Sequence, residues 1–230
     1  MKIRYCDGID NRQYEPLMQN LLDTHLSVAG LKQITPPIDI MNRKDFEKEL
    51  GTLSNDHSRA DSITHHLAKA IHNRYDENPA YYDSFSKRIK DTLDEYKNKI
   101  ISESEYLSAM KKILSDYQTG KTEIQYPSRI QNNTHAQAFY GVISALFAQS
   151  RDEIEQPDSE FLAEMSNAIT EIFKKHIVIG WENNLTTQNR IAQDIDDLFF
   201  GYEKSKGFKI PFVLIDKIIE NVKTVAIRRF

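Results

Sequence analysis

Apolar residues recur at steps of three and four along most of the chain, clearest between Ser58 and Tyr96. Tyr82, Phe85, Ile89, Leu93, Tyr96 and Ile100 fall on one helical face, and upstream Ile63, Leu67, Ala70, Ile71 and Tyr75 do the same. Asn78-Pro79 interrupts the pattern. Proline has no amide proton, presets its own φ and pushes the residue before it out of the helical region. The spacing therefore predicts one helix ending at Asn78 and a second opening at Pro79.

The same reading extends in both directions. A short extended piece, Ile3 to Tyr5, precedes a turn at Asp7-Gly8. Tyr14, Leu17, Met18, Leu21, Leu22, His25 and Val28 make the inner face of a helix from Arg12 to Ala29, with Gly30 as its C-cap. Thr35-Pro36-Pro37 is not helical. A short helix from Arg43 to Leu50 is expected to stop at Gly51, and Asp56 or Ser58 starts the helix pair. Ser102-Glu103-Ser104-Glu105 has the form of a capping box, opening a helix to Tyr117 with Tyr106, Met110, Ile113 and Leu114 on its stripe. Further helices are predicted over Thr134–Gln149, Asp158–Lys175, Thr186–Lys204 and Pro211–Arg228, with a break at Ile177–Gly180 before Trp181.

No alternation persists long enough to build a sheet. The fold class is all-α: an irregular multi-helix bundle built from antiparallel helix hairpins, with little or no β-sheet. The polar stretch Thr119–Asn133, which contains Pro127, is the best internal boundary. It suggests an N-terminal helical segment over 1–53, a central hairpin subdomain over 54–121 and a C-terminal helical subdomain over 122–230, or alternatively one continuous domain.

Composition narrows the classes. The chain has 230 residues, 40% of them hydrophobic and 28% charged, with a net charge of −4. That balance argues against a dedicated nucleic-acid-binding domain, which carries a net basic face. The single cysteine, Cys6, excludes an internal disulfide and a cysteine-rich zinc site. No apolar run approaches the roughly 18–20 residues of a membrane span, and MKIRYCDGID lacks a signal peptide's apolar stretch. The expectation is a cytoplasmic protein without a membrane partner.

Four groups of residues invite a chemical reading. Gly120-Lys121-Thr122 ends like a phosphate-binding loop, but Ser115 stands where the first glycine belongs and the segment before it is helical, so it reads as a helix C-cap. Glu95-Tyr96-Lys97 and Pro157-Asp158 have the letters of a Mg²⁺-dependent nuclease, yet both lie in helical pattern and in the wrong order. His57, Asp61 and His65 share a helix face with metal-ligand spacing, and His66 and His72 lie nearby. A metal would still need a further ligand from elsewhere, so the preferred reading is a partly solvated polar face. Trp181 and the pair Phe199-Phe200 are read as core anchors, because Asp194, Asp196 and Asp197 make that helix acidic where base stacking needs a basic groove.

Several segments in order carry a resemblance. Arg59-Ala60-Asp61-Ser62-Ile63 is similar to an Ala-Asp-x-Ile helix start. Tyr75-Asp76-Glu77-Asn78-Pro79-Ala80-Tyr81-Tyr82 matches a break of acidic residue, Asn/Asp-Pro, x and aromatic. Phe85-Ser86-Lys87-Arg88-Ile89, Glu105-Tyr106-Leu107 and Ile177-Val178-Ile179-Gly180-Trp181 follow, the last with Gly180 where an aspartate is common. From about Asp7 to Val225 the chain resembles the C-terminal helical region of the restriction (motor) subunit of type I restriction-modification enzymes.

The resemblance implies a fragment that lacks the motor and nuclease domains. It would have no catalytic residue and no cofactor of its own; ATP and Mg²⁺ would belong to the parent subunit, a DNA translocase and endonuclease. Partners implied are the modification (methyltransferase) subunit, onto whose core the region docks, and the helicase domains of the parent chain. For the docking surface the reading selects the last helix, with Phe208, Phe212, Arg228, Arg229 and Phe230, since a terminal helix with an aromatic end is readily presented to a partner. The competing reading is a bundle that guides duplex DNA or supports the helicase lobes. It would use Lys87, Arg88, Lys90 and Lys97 with Lys111-Lys112, although Asp91, Asp94 and Glu95 dilute that face.

Overall fold

A computed structural model of the protein describes residues 40–151 and 154–230. The predicted helix Arg12–Ala29, the extended piece before it, Cys6 and the Thr35-Pro36-Pro37 segment lie outside the described residues. Among those described there are eight α-helices and no strand: α1 Arg43–Thr52, α2 Asp56–Arg74, α3 Pro79–Lys97, α4 Glu103–Thr119, α5 Thr134–Gln149, α6 Ser159–His176, α7 Leu185–Lys206 and α8 Phe212–Arg229. The protein is all-α.

The local chemistry explains most of the boundaries. Ser102 and Glu105 form a true capping box, the Glu105 carboxylate accepting from the Ser102 backbone N–H at 2.8 Å. Asn133, Asp158 and Asn184 each accept a backbone N–H of the first turn of α5, α6 and α7. Three expectations need correction. Helix α1 does not stop at Gly51 but runs through it to Thr52; a glycine costs a helix only about 1 kcal/mol, and burial of Phe46 and Leu50 outweighs that.

The break is also wider than Asn78-Pro79. Helix α2 ends at Arg74, Tyr75–Glu77 form a 3-10 turn, and Asn78 then caps α3 by accepting the Tyr81 N–H at 3.2 Å. Ile100, expected on the inner stripe of α3, is 70% exposed. Helix α3 ends at Lys97, and Lys99 then takes a left-handed conformation, φ 58°. The N–H of Lys99 reaches the Tyr96 carbonyl and that of Ile100 the Glu95 carbonyl, both at 2.9 Å, which is a Schellman stop.

The chain forms two compact units, dividing at Glu123–Ile124, with residues 75–81 belonging to the second. In the first, α2 packs along α4, and α3 adds Phe85, Ile89 and Leu93 to the buried set. Residues 40–53 stay with this unit: Phe46 is fully buried with its ring edge-on to His66, and Gln118 donates to the Ile40 carbonyl at 2.6 Å. Arg59 closes the end of α1 by donating to the carbonyls of Leu50 and Leu53. In the second unit α5 is central, apolar on nearly every side, and packed by α6 and α8. The buried hydroxyls Ser166 and Thr170 are satisfied by carbonyls four residues back on α6.

Candidate docking surface

At one end of the second unit, four rings form a chain. His135, the second residue of α5, stacks on Phe230 at 4.1 Å, Phe230 stacks on Phe173 at 6.0 Å, and Phe173 meets Trp181 edge-on at 5.7 Å. Phe173 and Trp181 are buried. The turn before Trp181 closes by a bond from its N–H to the Val178 carbonyl at 3.0 Å, with Gly180 at φ +77°. A type II turn demands a left-handed third residue, so glycine there lets Trp181 turn inward while Ile179 points out.

The consequence is an apolar knob. Ile179 is 106% exposed relative to a free residue; Val178 before it is 58% exposed, and Leu185, which opens α7, is 71% exposed. The rim is polar: Lys175 and His176 both hold Asp194, at 2.9 and 2.7 Å, and these contacts, His176 first, keep the Asp194 carboxyl below its usual range. The pKa of His135 is also lowered, which for a base favours the neutral form. Burial lowers its pKa, and the nearby cations Arg229 and Lys174 lower it further.

The five residues selected from sequence do not form one surface. Phe208 is buried among Phe147 and Phe161. Phe212 opens α8 with 83% exposure, next to Val213 at 67%. Arg228, Arg229 and Phe230 lie at the opposite end, roughly 25 Å along the helix axis at 1.5 Å per residue. There Arg229 Nη1 donates to the Glu77 carbonyl at 3.1 Å, and Arg228 faces Asp76 at 3.8 Å. Phe230 is 38% exposed in the ring chain.

Residues 26–222 match the family described as type I restriction enzyme HindI endonuclease subunit-like, C-terminal. The chain belongs to this family. Neither a curated protein nor a solved structure matches it. Within the type I restriction enzyme match lie the Arg59–Ile63 helix start, the Asn78-Pro79 break and the turn before Trp181, whereas Arg228, Arg229 and Phe230 fall beyond it.

The remaining sequence candidates resolve one by one. Asp61, from the helix-start motif, faces His57 Nε2 at 3.4 Å and accepts the Tyr106 hydroxyl at 3.4 Å. Tyr106 also bonds Thr64 at 3.0 Å and stacks on Tyr96 at 4.6 Å, and burial pushes its phenol up to about 12. Among the described residues no group of three or more His, Cys, Asp or Glu is arranged for a metal ion. Gly120 is the C-cap of α4, and Glu95 to Lys97 close α3, so both resemblances to catalytic motifs fall on helix ends.

Arg88 is bound to Asp116 at 2.6 Å and Glu123 at 3.5 Å, which takes it out of the proposed basic face; Lys87, Lys90, Lys97, Lys111 and Lys112 are exposed. Trp181 and Phe199 are core residues, but Phe200, expected with them, is 55% exposed under the Lys204 ammonium at 4.3 Å. Adjacent residues on a helix face directions about 100° apart, so only one of the pair enters the core. In sequence Val178 and Ile179 read as a helix break and as part of the family resemblance, and neither they nor Leu185 were assigned to a docking surface. Three β-branched residues, Ile177 to Ile179, between three basic residues and a glycine were the available signal.

Proposed function

We propose that the chain is a non-catalytic assembly module that docks the motor subunit of a type I restriction enzyme onto the methyltransferase core. The observation that carries this reading is the pairing of family membership with large apolar side chains held in solvent, Ile179 on a hydrogen-bonded turn and Phe212 at the head of α8. Exposed anchors ringed by polar groups are where binding energy concentrates. The recognised surface in this reading is two apolar patches at opposite ends of the second unit. Val178, Ile179 and Leu185 lie near the ring chain, with Arg228 and Arg229 at that same end of α8; Phe212 and Val213 lie at the head of α8, where Phe208 is buried. ATP hydrolysis, translocation and Mg²⁺-dependent cleavage belong to the remainder of such a subunit.

The test is assembly. The purified chain, mixed with the methyltransferase core, should co-elute as a complex in size-exclusion chromatography with light scattering. Separate elution of a folded chain at tens of micromolar would remove the docking role. The DNA-guiding alternative gains no support from Arg88, whose charge is spent on Asp116.

A further inference from the structure

The contact between α5 and the last turn of α8 is built around a histidine poorly placed to carry charge. His135 sits in the first turn of α5, where the helix dipole disfavours a cation. Its Nδ1 is buried and has no hydrogen-bond partner. The cations Arg229 on α8 and Lys174 on α6 both act on it. Of the acids on the elements that carry these cations or their partners, Glu171 pairs with Lys174 at 2.8 Å and Asp76 with Arg228 at 3.8 Å. The face of Phe230 favours an imidazolium, but burial, the helix terminus and two cations oppose it. Immediately beside this stack Arg229 holds the Glu77 carbonyl.

We propose that His135 is an acid-released catch: neutral, it seats the last turn of α8 and, through Arg229, the Tyr75–Glu77 turn; protonated, it lets both go. The sign follows from linkage. The seated state binds the proton more weakly than the open state, whose histidine has the ordinary value of about 6.5. Seating is therefore strongest above that pH and weakens as pH falls through it. If the seated histidine stays neutral throughout, the opening constant rises by up to about tenfold at pH 5.5.

Hydrogen exchange on the 230-residue chain tests this. Protection of the Ala226–Phe230 and Tyr75–Asn78 amides, corrected for intrinsic rates, should fall several-fold between pH 7.5 and 5.5. His135→Phe, which keeps the stack and removes the titration, should abolish the fall. An equal fall in the variant, no fall in the wild type, or a fall confined to one segment would overturn the proposal. An NMR titration of the His135 ring in the wild type decides independently of how the variant folds: a midpoint below 6.5 supports the catch, and one at or above 6.5 overturns it.

Discussion

Arg229 and Glu77 stand 152 positions apart and meet in one hydrogen bond, the guanidinium donating to the backbone carbonyl at 3.1 Å. The bond joins the end of the last helix to the break between α2 and α3. A donor that carries charge and is partly buried contributes more than an exposed ion pair, roughly 1.5–3 kcal/mol against 0–1. Arg229→Ala should therefore lower unfolding free energy by about 2 kcal/mol in urea titration. Arg228→Ala, which removes only the exposed contact with Asp76, should cost less than about 0.5 kcal/mol.

Gly141 marks where the break seats on α5. A Cβ there would come within 2.4 Å of the Ala80 Cβ. Gly141→Ala gains about 1 kcal/mol of helix propensity, yet overpacking a fixed contact costs about 1–3 kcal/mol. The expected net result is destabilisation on thermal melting. Adding Ala80→Gly should recover part of the loss, because it removes the atom that clashes.

Lys99 carries the opposite prediction. It is the one described non-glycine residue with positive φ, 58°, and it occupies the position of the Schellman stop where glycine is favoured. Lys99→Gly should stabilise the chain by about 0.5–1 kcal/mol. A lower melting temperature for the variant would refute that account of how α3 ends.

Asp194 links stability to pH. Its carboxyl lies below the usual range, first through the hydrogen bond to His176 and then through Lys175. A depressed carboxyl contributes stability that is complete above the unfolded pKa, near 4, and is lost as pH falls through the folded value. Urea midpoints of Asp194→Asn should therefore lie below wild type at pH 6, with the gap narrowing toward pH 3. A gap that stayed constant would mean that the His176 and Lys175 contacts contribute nothing.

The helices were legible because their signals are local: the apolar spacing of Tyr82 to Leu93, the capping box at Ser102 and the proline at position 79 each act within one or two turns. The docking candidates were less so. Phe208 and Phe212 are both aromatic and four residues apart, and only tertiary packing puts one against Phe161 and leaves the other in water. Arg229 carries no local mark of its bond to a carbonyl 152 residues away. Ile179 looked like a gap in the helical pattern because periodicity weighs helices and says nothing about which turn residues stay exposed.

Docking is the central claim, and calorimetric titration of the chain into the methyltransferase core tests it most directly. Saturable binding at tens of micromolar or tighter is expected, weakened about tenfold or more by Ile179→Asp and by Phe212→Asp. Both positions are exposed, and an aspartate suits the first turn of α8, so the variants should melt like the wild type. A folded wild-type chain that releases no binding heat and forms no complex at those concentrations would contradict the account, as would full affinity in both variants.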